Sequence, residues 1–403
     1  MTGAIDCGIS HSWASDDEII EYLPTGWREY AIVNSPQPWH DYLRGDAARP
    51  AGALVDTPVS SHDLAYYDPR GEFLPGAVSG HAMSGCSDHE TLNRQHLEPG
   101  HIERGVLVHG TGLLVPAKSV VRLTVALTRA INDWTIERWL AEDERLFASL
   151  LVPTQIPEAA AAEIRRLGPS ERVVAVLLCA NGLGKPFGHP AYDPIFKAAE
   201  DVGLPIIIRA GGDELMESAT YSVAGGLPRT YVEHRTLAPQ VLMTHAASLI
   251  GQGVMKRYPS LRFLLLGGSI GWVTPFLWRL DAGYRSFRHD VLWLRTLPSE
   301  VFQQHFMVGT DPFLRLADRA TFAKYLTVEP TLAELTCYAS GYPDTEYAAP
   351  ATVSELLPGD WKEAVLTGNA SRFFGWGTAP AAVGRPGEGV ASEVGDDPER
   401  SHT

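Results

Sequence analysis

The sequence has no run of about 18 consecutive apolar residues, so it predicts no transmembrane helix. Residues 1–13 contain no basic segment followed by an apolar core, so no secretory signal is expected. Basic residues are also scarce. The 33 Lys and Arg against 48 Asp and Glu give a net charge of −15, which argues against a nucleic-acid-binding protein.

Cysteine is scarce as well, and the four cysteines are far apart: Cys7, Cys86, Cys179 and Cys337. None forms a C-x-x-C pair, so the sequence predicts neither a disulfide framework nor a zinc knuckle. Free thiols are typical of a reducing compartment, and the expected location is the cytoplasm. Cysteines within predicted strands are expected to be small buried apolar side chains.

Short apolar segments alternate with helix-like stretches along most of the chain, which favours a parallel sheet. The predicted strands are Ala4–Ser10, Gly105–Val108, Leu146–Val152, Val173–Cys179, Pro205–Arg209, Leu261–Leu266, Phe306–Val308 and Leu335–Ser340. Eight strand–helix units predict a closed (β/α)8 barrel. An open doubly wound sheet is the alternative, but no G-x-G-x-x-G follows the first strand.

Two parts of the chain do not follow this alternation. Residues 13–100 are rich in Pro, Gly, His and Asp, and are interpreted as an insertion or lid after the first strand. Residues 377–403 are rich in Gly, Ala, Pro and acid without apolar periodicity, which predicts a disordered acidic tail. The predicted domain organisation is therefore one barrel over residues 1–376 and a tail.

In a barrel of this kind the chemistry lies where the strands end. The predicted ends carry few metal ligands, with no H-x-H and no paired carboxylates. A hydrolytic metal site needs about three converging protein ligands. Of the residues at these ends, His11 and Asp344 come closest to such a set.

Several short segments are distinctive enough in sequence to serve as family motifs. They are Ser15-Asp16-Asp17-Glu18, Ile131-Asn132-Asp133-Trp134, His189-Pro190-Ala191-Tyr192-Asp193-Pro194, Gly271-Trp272 and Gly368-Asn369-Ala370. With these segments the chain resembles the amidohydrolase-related family over about residues 5–376. This branch contains metal-dependent decarboxylases and hydrolases of aromatic and related carboxylates. The resemblance implies a (β/α)8 barrel with a divalent metal bound at the strand ends.

The same resemblance implies that the family's metal-binding positions have changed here. The residues at those positions are Gly8 and Ser10 in strand one, Arg209 ending strand five, Arg235 before the next helix, Gly267 ending strand six, and Gly341 with Asp344 after strand eight. Glycine and serine cannot replace an imidazole or carboxylate as strong ligands. The sequence therefore predicts no metal and no cofactor.

The most informative candidate is Arg209, a fixed guanidinium at the place of a metal ligand, which can bind a carboxylate with help from Arg235. The alternative is a structural pair with a nearby acid. His11 and Asp344 are the candidate general acids or bases. The further candidate contacts to the substrate are Ser10, Asn181, Ser269 and Tyr342.

Two functions remain open from the sequence. The first is a non-catalytic partner subunit that pairs with an active relative. The alternative is a metal-independent lyase, decarboxylase or hydrolase acting on a small carboxylate in the same cavity. Aromatic residues in Gly271–Asp281 predict a dimer, either with itself or with a paralogue.

Overall fold

The computed structural model describes residues 3–33, 86–117, 120–179, 183–210, 231–312, 319–344 and 346–376. Most of the predicted insertion and all of the predicted tail lie outside these ranges. The predicted domain boundaries therefore stay predictions.

Eight parallel strands form one sheet in which each strand pairs with the next along the chain. They are β1 Ala4–His11, β2 Ile102–His109, β3 Leu146–Leu151, β4 Val173–Leu178, β5 Ile206–Arg209, β6 Phe263–Leu266, β7 Phe306–Gly309 and β8 Thr336–Cys337. The backbone amides of Cys7 and Ser10 donate to the carbonyls of Tyr338 and Tyr342, so β1 also contacts the segment that follows β8. The predicted (β/α)8 barrel is confirmed.

Helices surround the strands. They are α1 Asp16–Ile20, α2 Thr25–Val33, α3 His89–Leu92, α4 Val121–Trp134, α5 Pro157–Leu167, α6 Asp193–Val202, α7 Tyr231–Gly251, α8 Val254–Arg257, α9 Val273–Phe287, α10 Pro298–His305, α11 Arg319–Val328, α12 Leu332–Leu335, α13 Pro350–Leu356 and α14 Asn369–Phe374. Helix α4 continues as a π-helical stretch over Thr135–Leu140. Helices α7 and α8 are separated by Gly253, whose φ is +70°.

The hydrophobic core lies in two layers, inside the barrel and between the strands and helices. All six residues of β4 are buried, as expected of a parallel strand covered on both faces. Phe263 on β6 stacks on Phe306 of β7, which stacks on Phe302 of α10, so these rings fill the outer layer. Since side chains alternate along a strand, Leu266 on β6 and Gly309 on β7 face the barrel interior.

Among the described helices, none is both long and apolar enough to cross a membrane.

Candidate functional site

An ion pair between neighbouring strand ends lies at the mouth of the barrel. Arg209 is the last residue of β5, and Asp311 follows β7 by two residues. Arg209 Nη1 lies 3.5 Å from Asp311 Oδ2. The side chains are 11% and 3% exposed, so both charges are largely withdrawn from water.

This pair is incompletely hydrogen-bonded. Among the described residues, Arg209 Nε and Asp311 Oδ1 are buried and have no hydrogen-bond partner. Burial raises the pKa of Asp311 above its usual value, although the Arg209 guanidinium and a backbone amide oppose that rise. Arg209 Nε is therefore an unused donor and Asp311 Oδ1 an unused acceptor. Leaving either of them buried and unpaired costs folding free energy.

The third charged group at this mouth is Asp344. A β-carbon placed on Gly341 would lie 3.5 Å from the Asp311 β-carbon and 3.9 Å from that of Asp344. Gly341 therefore lies beside both acids. Asp344 Oδ1 accepts from the Glu346 amide. Of the two candidate acids or bases from the sequence, Asp344 is the one whose chain segment borders Asp311, the partner of Arg209.

Two positions that the sequence resemblance assigns to metal ligands, Gly8 and Gly267, carry no ligand side chain. A β-carbon on Gly8 would lie 3.1 Å from that of Ala339 and 3.8 Å from Leu266 Cδ1, so apolar atoms fill this part of the interior. Gly267 has φ +89°, and its β-carbon would lie 2.5 Å from the Ala210 carbonyl oxygen. Over the described residues, no three His, Cys, Asp or Glu side chains are grouped to hold a metal.

His11 lies elsewhere, between β1 and the helix that follows β2. Its Nδ1 is 2.9 Å from the Val108 carbonyl oxygen, and its Nε2 is 2.9 Å from Thr135 Oγ1. The ring stacks on Trp134, with centroids 5.6 Å apart. Burial lowers the pKa of His11 to about 4, so the ring is neutral near pH 7. This environment is that of a packing residue and does not support the predicted proton-transfer role.

His109, at the end of β2, packs against His11 with ring centroids 4.4 Å apart. It is fully buried, and neither ring nitrogen has a hydrogen-bond partner among the described residues. Burial lowers the pKa of His109 well below its usual value, and the nearby His11 lowers it further. These two histidines therefore form one neutral aromatic cluster with Trp134.

A second buried acid, Asp6, is fully hydrogen-bonded. Its Oδ1 accepts from the amides of Gly8 and Ser340, both at 2.9 Å, and its Oδ2 lies 2.6 Å from His96 Nε2. The other nitrogen of His96 lies 3.1 Å from the Tyr347 hydroxyl. This network ties β1 to the segments after β8 and before β2, which is a structural role.

The remaining predicted contacts are dispersed. Ser10 and Ser269 are buried near the strand ends, and the Ser269 amide donates to the Asp311 carbonyl. The Tyr342 hydroxyl donates to Gln95 Oε1, and its ring stacks on His96, so it belongs to the network of Asp6. Asn181 lies outside the described residues. Arg235 lies in α7, and its side chain is outside the described part of the structure.

Strict alternation along β1 would place Cys7 on the face opposite Gly8 and Ser10. The strand has a register irregularity between Asp6 and Ile9, so that alternation does not hold. The pKa of the Cys7 thiol is raised mainly by a hydrogen bond with Cys337 and, to a smaller extent, by burial. All four cysteines are buried free thiols; the sequence predicts no disulfide among them and burial for the three in strands, Cys7, Cys179 and Cys337.

Comparison with known proteins shows the family to which this barrel belongs. The family model described as amidohydrolase matches residues 113–376, which is well over half of the chain. The chain belongs to the amidohydrolase family. Gamma-resorcylate decarboxylase of Polaromonas sp. (strain JS666 / ATCC BAA-500) is 22% identical to this amidohydrolase-family chain over 271 residues, covering 62% of this chain and 74% of that protein.

Two solved structures are similar to this amidohydrolase-family barrel. An amidohydrolase from Mycobacterium avium subsp. paratuberculosis K-10 has a TM-score of 0.65 at 15% identity, covering 93% of this chain and 100% of that one. A dihydroxybenzoic acid decarboxylase from Polaromonas sp. JS666, solved with bound manganese and the inhibitor 2-nitroresorcinol, has a TM-score of 0.57 at 17% identity, covering 94% and 98%. At these identities the likeness establishes the shared fold.

Sequence reasoning missed Asp311 and His109. Both follow directly from the rule that strand ends carry the chemistry, since Thr310-Asp311 comes after the predicted seventh strand and His109 after the second. Examining all eight strand ends, instead of those with family motifs, would have found them. The buried partner of Asp6, His96, gives no comparable signal, because it lies 90 residues away in the predicted insertion.

Proposed function

We propose that this chain is a non-catalytic partner subunit that pairs with another subunit of the same fold, either a second copy or an active paralogue. The observation that supports this proposal most is the barrel interior. Apolar atoms surround Gly8, and Arg209 pairs with Asp311. Gly8 and Arg209 are two of the positions that the sequence resemblance assigns to metal ligands. The scaffold around this interior is retained, which is what a stabilising subunit requires.

The surface of α9 supports pairing. Phe276, Leu280, Tyr284 and Phe287 follow one face of this helix and line a groove of about 320 Å³ that is apolar over most of its wall. Trp278 is 67% exposed, and Leu292, just beyond the helix, is 64% exposed. Large exposed aromatic residues are typical of the centre of protein interfaces.

Light scattering of the purified chain, alone and mixed with a family member from the same genome that retains the metal ligands, tests the pairing. We expect a dimer in at least one of the two samples. Phe287→Glu should dissociate it, because a charge would be buried in the interface. Val328→Glu, at an apolar residue 75% exposed on α11, is the matched control and should leave the dimer intact. A monomer in both samples contradicts the proposal.

Elemental analysis tests the other half of the proposal. Protein purified without chelator should contain far less than one zinc or manganese per chain. The positive charge of Arg209 lies beside Asp311 and would repel a metal cation there. One tightly held transition metal per chain contradicts this expectation.

The second candidate function is a metal-independent enzyme acting on a small carboxylate, and the unused donor of Arg209 favours it. A guanidinium offers five N–H donors, of which the Asp311 contact uses one. Arg209 would hold the substrate carboxylate, while Asp311 or Asp344 would hold or move a proton. Carboxylate binding at Arg209 is common to both candidates, whether or not the bound molecule is converted.

Product formation after chelator treatment separates the two candidates. Chelated protein is incubated with benzoate and 2,6-dihydroxybenzoate, and released carbon dioxide is measured. Turnover that is lost in Arg209→Ala supports the enzyme and excludes a purely structural subunit. An absence of turnover in wild-type protein, together with a dimer in the scattering experiment, favours the partner subunit.

A further inference from the structure

The contact between Arg209 and Asp311 is weaker than a well-formed pair. Its 3.5 Å separation exceeds the roughly 2.7–2.9 Å of a charge-assisted N–H···O bond. Only one nitrogen and one oxygen take part, whereas arginine and carboxylate commonly join through two parallel hydrogen bonds. Within the described residues, Arg209 Nε therefore remains without a partner and can donate to a second carboxylate.

Besides Arg209, the described groups around Asp311 act in both directions, since an acid disfavours its charge and a backbone amide favours it. From β1, Asp6 acts on it as a second negative charge, and the Cys7 thiol is close enough to interact. In the segment after β8, Gly341 lies beside both Asp311 and Asp344. From the end of β6, the Gly267 amide favours the charged form. Among these described groups, Arg209 on β5 is the cation that offsets the acids.

We propose that Asp311 is an internal competitor for the ligand site: an incoming carboxylate displaces Asp311 from Arg209, and Asp311 takes up one proton as it is displaced. This inference rests on the proposal that Arg209 binds a small carboxylate. The exchange replaces one carboxylate–guanidinium pair by another and converts the Asp311 carboxylate to a carboxylic acid. The proton comes from solvent, so no covalent bond of the ligand changes.

The exchange fixes the direction of the pH dependence. In the complex, Asp311 has lost its counter-charge and gained a negative neighbour, so its pKa is higher than in the free protein. Because the complex then binds more protons than the free protein, carboxylate affinity falls as pH rises, by up to tenfold per pH unit. His11 and His109 stay neutral and do not enter this dependence.

Calorimetric titration tests the exchange on the full chain without any variant. Acetate, benzoate and 2,6-dihydroxybenzoate are titrated at pH 7 in phosphate and in Tris, whose ionisation enthalpies differ. The expected result is a binding enthalpy that depends on the buffer and corresponds to an uptake approaching one proton. Between pH 6 and pH 8 the dissociation constant should rise, by no more than about a hundredfold.

Asp311→Asn keeps the shape of the side chain and removes the competing charge. This variant should bind the same carboxylate without proton uptake and with a pH-independent dissociation constant, and at pH 8 it should bind more tightly than wild type. The matched control is Asp193→Asn, which removes the acid of an Arg257 pair on the surface and should behave as wild type.

Two results overturn the inference, and they are distinguishable. If a carboxylate binds with the same enthalpy in both buffers, or if Asp311→Asn retains the proton uptake, the exchange is wrong while the carboxylate site stands. If none of the three carboxylates binds, both the exchange and the carboxylate site are wrong.

Discussion

Two buried acids of this barrel have opposite surroundings. Asp6 has both oxygens hydrogen-bonded, to two backbone amides and to His96 at 2.6 Å. Asp311 makes one long contact with Arg209 and is also favoured in its charged form by the Gly267 amide, while its Oδ1 has no hydrogen-bond partner among the described residues. A fully satisfied buried acid stabilises a fold, whereas an incompletely satisfied one is available for a ligand.

The largest expected effect concerns Asp6. Asp6→Ala leaves two amides and His96 without their acceptor, and should lower the free energy of unfolding by about 3–5 kcal/mol. Urea unfolding measures this loss. Asp193→Ala removes an exposed acid paired with Arg257 and should cost no more than about 1 kcal/mol. Equal losses in the two variants would show that the Asp6 network is not structural.

The next effect concerns Gly267 at the end of β6, a position that the sequence resemblance assigns to a metal ligand. Gly267→Ala should cost about 1–3 kcal/mol, because φ is +89° and the new β-carbon would meet the Ala210 carbonyl at 2.5 Å. Gly26→Ala in α2 should be neutral or stabilising, because the new β-carbon would meet no described atom outside its own helix turn within 4 Å. Melting curves compare the two. An unchanged melting temperature in Gly267→Ala would mean that a ligand side chain could be restored there.

A smaller effect is the pH dependence of stability that the buried His11 produces. The pKa of His11 is about 4 in the fold and about 6.5 when unfolded, so the unfolded chain binds more protons between these values. Stability is therefore retained above pH 6.5 and falls as pH is lowered toward 4, by at most about 1.4 kcal/mol per pH unit for this group.

Urea unfolding at several pH values between 7 and 4.5 measures that slope. In His11→Phe the fall should be shallower, although His245, whose pKa burial lowers to about 3, maintains part of it. His289→Phe, at a side chain 71% exposed, should leave the wild-type slope unchanged. A wild-type slope in His11→Phe would contradict the neutral packing role.

The smallest effect is expected at the mouth. Asp311→Asn should change the free energy of unfolding by about 1 kcal/mol or less, because it removes one long contact together with the cost of burying a charge. Urea unfolding beside Asp6→Ala gives the comparison directly. A loss as large as that of Asp6→Ala would assign Asp311 to the scaffold.

The sequence predicts the barrel better than its site. Continuous apolar segments such as β4 specify buried strands, and the predicted strand starts and ends differ from the structure by a few residues. The strand predicted over Leu335–Ser340 pairs as β8 only at Thr336–Cys337, because the next residues bond to β1 and to Val365 instead. Such exchanges of partner depend on tertiary contacts that no local pattern contains.

The predicted roles of the site residues stay predictions. The structure shows that Arg209 ends β5 and pairs with Asp311, whereas His11 packs on Trp134 of α4. A position two residues beyond a β1 irregularity cannot be assigned to a face from sequence spacing. The sequence does not specify which acid pairs with Arg209, since pairing across β5 and β7 depends on the closed sheet.

Calorimetric titration of 2,6-dihydroxybenzoate into wild-type and Arg209→Ala protein, each with chelator and with added manganese, tests the central claim most directly. The claim is that a guanidinium, and not a metal, binds carboxylate at this mouth. We predict a wild-type dissociation constant that is the same with chelator and manganese, and an increase of about tenfold to a hundredfold in Arg209→Ala. Binding that requires manganese, or that survives Arg209→Ala unchanged, would contradict it.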